Sequence, residues 1–391
     1  MTINAQRRRL LGATLCAGAL APVASLSLAG SAGADEPRLV VIILRGGMDG
    51  LSAAPPVGDP DFAAARGALG EFGGATLPLD SMFALHPALG QLHAMYGRGE
   101  LAVVHAVGQA YRERSHFDAQ QVLESGGVRP YEITTGWLGR ALPLSGAKGI
   151  ALATAVPLVL RGPATVDTWA PSSLPDPSAD LVMRLERMYG SDPALATALA
   201  RARALHFDAA MMSAMRGHDD AGARGFVLLA QRAAEFLVQP RGPQAAVLDL
   251  GGWDTHANQV GALANNLRTL DAGLAALRDA LVAAQAWQRS AVVVMTEFGR
   301  EVAINGTQGT DHGSGGVAFV LGGAVKGGRV LGDWPGLARK DRYQGRDLRT
   351  TTDTRALLKG VLADHLHLAR GALDNEVFPG SASVRPLSLF A

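Results

Sequence analysis

Four short polar segments of this chain combine a carboxylate or an imidazole with nearby glycine and an adjacent apolar run. Asp254 and His256 lie in GGWDTH, which follows the apolar run 245–250. The other three segments are RGGMDG with Asp49, TEFGR with Glu297, and GTDHG with Asp311 and His312. Carboxylate oxygens and imidazole nitrogens are common ligands of zinc and manganese. The four segments therefore predict a divalent-metal site.

A fifth polar segment, YRERSHFD, follows the apolar run 101–107. Its Ser115 has two interpretations. It can be the N-cap of a helix that begins after it, or a nucleophilic hydroxyl at a helix N-terminus, where the dipole and free amides favour an anion. Arg112, Arg114 and His116 in the same segment are predicted to bind an anionic substrate.

These polar segments require strands to position them. Continuous apolar runs rich in β-branched residues predict strands buried on both faces, at 38–44, 101–107, 245–250, 290–295 and 317–321. A short strand is also predicted at 158–160, and a hairpin-like segment at 322–332. In open α/β sheets, ligands bind at the carboxyl ends of the strands. We therefore expect the polar segments to meet at one edge of the sheet.

Helical periodicity is strongest from 260 to 281, where apolar residues, mostly leucines, recur at three- and four-residue steps. Residues 165–240 are predicted to form a helical insertion that covers one end of the sheet, and 351–366 a C-terminal helix. Strands that alternate with helices, without heptads or repeats, indicate an α/β fold. Its mostly parallel sheet would be sandwiched between helices.

Composition excludes some classes of function. The chain has 391 residues, with 36 Lys and Arg against 35 Asp and Glu. This near-neutral balance, without a basic run, argues against nucleic acid as a partner. The single cysteine, Cys16, lies in the N-terminal segment, so the folded domain is predicted to have no disulfide. Its stability must come from the core, with a metal as a further contribution.

Residues 1–34 are predicted to be an export signal, and residues 35–391 the folded domain. The run RRRLL, followed by a weakly apolar stretch, resembles a twin-arginine signal. An ordinary Sec signal or an uncleaved anchor is the alternative. Pro22 and several small residues interrupt the stretch, so no stable membrane span is predicted in the mature form. We expect a periplasmic or secreted protein whose partner during export is the twin-arginine translocase.

Carboxylates gathered at one sheet edge repel each other unless a cation neutralises them. A divalent cation there would polarise a phosphoryl or sulfuryl oxygen and activate either water or Ser115. The predicted cofactor is one or two ions of zinc, manganese or calcium, and the predicted substrate is a small anionic ester. A serine hydrolase based on Ser314 is disfavoured, because HGSGG does not match the G-x-S-x-G pattern.

Together, RGGMDG, SHF, GGWDTH, TEFGR and GTDHG behind a twin-arginine-like leader resemble the bacterial exported family called domain of unknown function 1501. The resemblance covers essentially the whole mature chain. That family is in turn similar to the alkaline phosphatase and sulfatase superfamily. The resemblance implies that superfamily's fold, a mostly parallel sheet between helices, with two metals at the carboxyl ends of the strands.

The resemblance also implies roles for single residues. Asp49 matches the first metal-bound aspartate, and Ser115 falls where the Ser or Thr nucleophile is expected. Asp254 and His256 match the aspartate and histidine of one metal site, although the usual spacing between them is longer. These matches imply a hydrolase of phosphate or sulfate esters.

Two positions depart from the superfamily's pattern. Glu297 stands where an Asp-His pair is expected, and Phe298 replaces the histidine of that pair. His312 resembles the last metal-ligand histidine, although Asp311 and His312 could instead be the Asp-His pair. The alternative function is therefore a non-catalytic exported binding or scaffold protein, which retains the fold with a degenerate metal site.

Overall fold

The apolar runs form the strands of a nine-stranded sheet and a separate two-stranded sheet. The computed structural model describes residues 36–171, 177–213 and 223–390, so the predicted export signal lies outside the described residues. The strands are β1 (Arg38–Leu44), β2 (Leu77–Pro78), β3 (Ala84–Leu85), β4 (Leu101–Gly108), β5 (Gly149–Ala151), β6 (Val166–Thr168), β7 (Ala245–Leu250), β8 (Ser290–Thr296), β9 (Gly316–Leu321), β10 (Arg329–Leu331) and β11 (Thr352–Asp353).

The large sheet is mostly parallel, as predicted. Its strand order is β10-β4-β9-β8-β1-β7-β5-β6, and β11 also pairs with β4. Only β9 runs antiparallel to its neighbours, β4 and β8. Because β9 runs the opposite way, the loop that precedes it lies at the edge where β4 and β8 end. The GTDHG segment, which comes before its strand, therefore lies on the same edge as the segments that follow theirs.

Helices cover both faces of this sheet, which confirms the predicted sandwich. The α-helices of the described residues are α1 (Gly50–Ala53), α2 (Phe62–Arg66), α3 (Gly90–Gly97), α4 (His116–Ser125), α5 (Trp137–Leu144), α6 (Ala179–Tyr189), α7 (Pro193–Ser213), α8 (Ala223–Leu237), α9 (Gln259–Ala283), α10 (Thr354–Asp364) and α11 (Arg370–Ala372). Within the described part of the chain, no helix has the length and apolarity needed to cross a membrane.

Strand β1 shows how the two faces are built. All seven of its residues are buried, because alternate side chains point to opposite faces and both faces are covered. Val40 and Ile42 pack with α3, α8 and α9 in one core cluster. Val41 and Ile43 pack with α5 and α10 in the other.

Three helices, α6, α7 and α8, lie between β6 and β7, in the region predicted to be a helical insertion. They differ in burial. Phe226, Phe236 and Leu237 of α8 belong to the main core, whereas no residue of α6 is buried. Helix α8 is therefore part of the sandwich itself.

Two local predictions were wrong. Leu158–Leu160 is a 3₁₀ turn rather than a strand, because Pro157 fixes a helix-compatible φ and its carbonyl accepts from Leu160 N at 3.1 Å. Segment 322–332 is not a hairpin. Gly322 N donates to Glu100 O at 3.0 Å, which turns the chain so that β10 pairs parallel with β4.

Candidate metal centre

Three imidazoles and one carboxylate converge at the sheet edge where β4, β7 and β8 end. His116 is the first residue of α4, Asp254 and His256 follow β7, and His312 precedes β9. The Nε2 atoms of His256 and His312 are 2.9 Å apart, and each lies 3.1 Å from Asp254 Oδ1. His116 Nε2 lies 3.4 Å from Asp254 Oδ2. We call these four side chains the histidine-aspartate cluster.

The imidazole of His116 is held by Glu297. His116 Nδ1 lies 2.8 Å from Glu297 Oε1, an atom that also accepts from Gly46 N at 2.8 Å and Gln120 Nε2 at 3.2 Å. A carboxylate that only accepts fixes the proton of His116 on Nδ1 and leaves Nε2 facing the cluster. Glu297 is thus a partner of the imidazole and not itself a member of the cluster.

The other two imidazoles are oriented in the same way. His256 Nδ1 lies 3.0 Å from Asp311 Oδ1, which also accepts from Asn305 Nδ2 at 3.2 Å. His312 Nδ1 donates to the main-chain carbonyl of Arg114 at 2.8 Å. The backbone of Arg114 is left-handed (φ 60°), and its carbonyl faces His312. Each Nδ1 therefore faces an acceptor, and each Nε2 presents a lone pair when the ring is neutral.

Arg300, which is 1 % exposed, ties together the loops that carry the cluster. Its Nε donates to Gly47 O at 2.8 Å, Nη1 donates to Thr310 O at 2.9 Å, and Nη2 donates to Trp253 O at 3.1 Å. Nη2 also lies 2.5 Å from Asp254 Oδ1. One guanidinium thus joins the loops after β1 and β7 and the loop before β9.

Charge and burial set the protonation of the cluster. The hydrogen bond to Glu297 raises the pKa of His116, whereas burial lowers the pKa of His312. Burial raises the pKa of Asp254, but the hydrogen bond and charge of Arg300 outweigh it and bring that pKa below its ordinary value. At neutral pH, His312 is therefore uncharged and Asp254 ionised, the states in which both can bind a cation.

The donor set fits a metal ion. Ligands about 2.0–2.2 Å from one ion, at angles of about 90–110°, lie about 2.8–3.6 Å from each other, close to the separations within the cluster. His116 Nε2 is buried and has no hydrogen-bond partner among the described residues, since its approach to Asp254 lacks hydrogen-bond geometry. Donor atoms of His116, Asp254 and His312 all lie within 4.8 Å of one another. These residues could hold one cation.

Asp49 was predicted to bind metal but does not join the cluster. It is fully buried and caps α1, with Leu51 N donating to Oδ1 at 3.1 Å and Ser52 Oγ donating to Oδ2 at 2.8 Å. Gln259 Nε2 also donates to Oδ2, and Arg66 forms a buried ion pair with it. Four groups, including the buried Arg66 guanidinium, thus satisfy this carboxylate, which gives Asp49 a structural role in the loop after β1.

Ser115 and Arg112 lie in the loop between β4 and α4, as expected. Ser115 occupies the N-cap position of α4, yet its side chain makes no capping hydrogen bond. It contacts the hydroxyl of Tyr111, which in turn donates to Asp118 at 3.1 Å. Arg112 donates only to the carbonyls of Gln109 and Tyr111, without a carboxylate partner in the described regions.

Sequence reasoning missed two features of this site. It assigned His116 and Arg114 to substrate binding, whereas His116 belongs to the cluster. Arg114 pairs with Asp347 at 2.8 Å and positions His312. It also gave no role to Arg300, although this residue closes the quoted TEFGR segment. A buried arginine cannot be distinguished from a surface one by residue type alone.

The fold and the site define an α/β protein with a histidine-rich candidate metal centre at its strand ends. Residues 36–376 match the family described as "Protein of unknown function (DUF1501)", and the chain belongs to that family. The predicted family is therefore confirmed.

Among solved structures, the chain is similar to a 2-O GAG sulfatase, with 12 % identity, a TM-score of 0.44, and coverage of 90 % of this chain and 73 % of that one. It is also similar to the phosphonate monoester hydrolase of Agrobacterium radiobacter, with 10 % identity, a TM-score of 0.44, and coverage of 85 % and 74 %. A third is the lipoteichoic acid synthase LtaP from Listeria monocytogenes, with 10 % identity, a TM-score of 0.42, and coverage of 88 % and 76 %. No curated protein sequence matches this chain.

Proposed function

We propose that this chain is an exported, metal-dependent hydrolase of phosphate or sulfate esters. The observation that carries the proposal is the histidine-aspartate cluster, whose imidazole nitrogens gather around the Asp254 carboxylate and which includes two solvent-exposed side chains. The side chains of Asp254 and His256 are 45 % and 44 % exposed, so a substrate can reach them. A purely structural metal site is closed by protein ligands, whereas a catalytic site keeps an accessible position.

The cluster would hold a divalent cation that supplies Lewis-acid polarisation of a phosphoryl or sulfuryl oxygen. His116, His256 and His312 would contribute nitrogen ligands, and Asp254 would contribute a carboxylate oxygen. Glu297 and Asp311 keep two of the imidazoles in the orientation that binding needs. In the overall reaction, water adds to phosphorus or sulfur and the ester oxygen leaves as an alcohol.

Ser115 is the proposed nucleophile, with water as the alternative. Its hydroxyl is free of the capping role, and it lies at the N-terminus of α4, where an anionic ester is favoured. Its contact with Tyr111, which is hydrogen-bonded to Asp118, offers a route for the hydroxyl proton. An attack by Ser115 would form a covalent ester that water then hydrolyses.

Arg112 is the proposed binding residue for the anionic group. Among the described residues, its guanidinium donates to two main-chain carbonyls and forms no ion pair with a carboxylate. A guanidinium presents paired N–H donors that suit the oxygens of phosphate or sulfate. Arg114 cannot serve equally, because its charge is neutralised by Asp347.

Export is part of the proposal. The RRRLL leader supports passage through the twin-arginine translocase, and a folded chain carried by that route would bring its metal with it. The proposed location is the periplasm or the exterior, without a stable membrane span in the mature form and without a nucleic-acid partner.

The test is hydrolysis of an aryl phosphate and an aryl sulfate before and after removal of metal by a chelator. We expect turnover of at least one ester, its loss after chelation and its return with added metal. Ser115→Ala should lower kcat by about a hundredfold or more, whereas Ser145→Ala, at the C-terminus of α5, should not. Absence of chelator-sensitive turnover on both esters would remove the proposal.

A non-catalytic binding protein is the second candidate. It is supported by Asp49 and Glu297, two predicted ligands whose carboxylates have partners within the protein. For this candidate, the purified protein would bind phosphate or sulfate in a manner that depends on Arg112 and would turn over neither ester.

A further inference from the structure

We infer that the histidine-aspartate cluster holds a single transition-metal ion, and that the protein itself closes the place where a second ion would be expected. The inference rests on the metal-binding part of the proposed function and does not depend on hydrolysis. The residues that decide the number of ions are Asp49 and Glu297, the other two acidic residues that follow strands β1 and β8.

Arg66 replaces a cation at Asp49. The Arg66 side chain is fully buried, and its guanidinium pairs with Asp49, donates to Ser52 Oγ at 2.9 Å and donates to Val302 O at 2.9 Å. A buried carboxylate needs a positive partner, and here the protein supplies it. A second ion at Asp49 would have to displace this buried arginine and leave its charge without a partner. The site at Asp49 is therefore closed.

Glu297 and Phe298 leave no place for a second ion beside His116 and His312. Both carboxylate oxygens of Glu297 are engaged, Oε1 by His116 Nδ1 and Gly46 N, and Oε2 by Thr296 Oγ1 at 3.0 Å. The Phe298 ring lies 4.8 Å from the His116 ring and 4.9 Å from the His312 ring, measured between centroids. An apolar ring thus occupies the space beside the two imidazoles, and it offers no ligand atom.

The types of donor atom in the cluster also restrict which metal can bind. Three imidazole nitrogens and one carboxylate suit zinc and its first-row neighbours, whereas calcium and magnesium prefer oxygen ligands only. The three Nδ1 partners also favour nitrogen ligation, because they leave every Nε2 facing the Asp254 carboxylate. Of the predicted metals, zinc and manganese fit this cluster and calcium does not.

The experiment is elemental analysis of the full chain, purified without a histidine tag and equilibrated with Zn²⁺, Mn²⁺, Ca²⁺ and Mg²⁺ in turn. We expect one equivalent of zinc per chain and less than a tenth of an equivalent of calcium or magnesium. Two equivalents of zinc, or calcium in preference to zinc, would overturn the inference.

Variants locate the ion. His116→Ala and His256→Ala should each weaken zinc binding about a hundredfold in a calorimetric titration, while His93→Ala on α3 should bind as the unchanged protein does. Circular dichroism checks the fold. If His116→Ala does not fold, the zinc affinity of His256→Ala decides the assignment, because the His256 side chain is 44 % exposed and its removal should leave the fold intact. Unweakened binding in the folded cluster variants would contradict the assignment.

The number of bound ions and the hydrolysis of esters are tested separately. One tightly bound zinc ion without turnover of either ester would refute the hydrolase and leave the single-ion inference standing. Turnover with two bound ions would support the hydrolase and overturn the single-ion inference.

Discussion

Five of the histidines that the structure describes differ in what faces their Nδ1 atoms. In His86 and His105, Nδ1 accepts from a main-chain N–H, at 3.0 and 2.9 Å, so the ring is neutral with its proton on Nε2. In His116, His256 and His312, Nδ1 faces an oxygen acceptor instead. This opposite arrangement presents Nε2 as a ligand. The hydrogen-bond partner of Nδ1 thus separates these two structural imidazoles from the three imidazoles of the candidate metal centre.

The side chain of Arg300 has a role at the residue scale that can be measured. We predict that Arg300→Met lowers the free energy of unfolding by about 3 kcal/mol or more, because the substitution leaves carbonyls of three loops without a donor and removes the partner of Asp254. Urea denaturation measures this change.

The same substitution at Arg129 is the control. Its side chain is 78 % exposed, and its pair with Glu132 is on the surface, so the change should stay within about 0.5 kcal/mol. Equal effects of the two substitutions would contradict the role assigned to Arg300.

Among the elements, the antiparallel strand β9 matters most for the site. Its direction brings His312 to the edge where β4 and β8 end. The loop before β9 then packs on the loop after β7, where Thr310 N donates to Thr255 O at 3.2 Å. This contact requires glycine, because a Cβ at Gly309 would overlap the carbonyl of His256.

We predict that Gly309→Ala displaces His256 and weakens zinc binding about tenfold or more, since misplacing one ligand distorts the whole donor set. Calorimetric titration with zinc measures the affinity. Gly306→Ala, in the same loop before β9 and with open space where its Cβ would lie, is the matched control. A tight zinc site in Gly309→Ala would show that the two loops do not depend on this contact.

At the scale of the whole molecule, burial couples stability to pH. His86 and His105 are not members of the histidine-aspartate cluster, and burial lowers the pKa of each from 6.5 to about 4. The unfolded chain therefore binds more protons than the folded chain between these values. Their contribution to stability is complete above pH 6.5 and is lost as the pH falls from 6.5 towards 4.

For His105 alone, this loss amounts to about 2 kcal/mol at about pH 5. We predict that His105→Gln makes the decrease in stability between about pH 7 and pH 5 smaller by about that amount, as measured by urea denaturation at each pH. Val104→Ala in the same strand should lower stability equally at both pH values. An unchanged pH dependence in His105→Gln would rule out this account.

Much of the fold could be predicted from local patterns. β1 and β7 were predicted with their observed bounds, and β8 and β9 to within one residue, because a strand buried on both faces is a continuous apolar run. The polar segments were also recognisable, since each adjoins such a run. The 3₁₀ turn at Leu158–Leu160 could not be predicted, because a short apolar run has no period that distinguishes a strand from a turn.

The sequence by itself determined which residue types meet at the sheet edge and which family the chain belongs to. Only the tertiary structure decided their roles: Asp49 is neutralised by Arg66, Glu297 supports His116, and His116 joins the cluster. The physical reason is that a ligand is defined by where its lone pair points and by what else engages it. Both depend on contacts between residues far apart in the chain, such as His116 with Glu297 and Asp254 with Arg300.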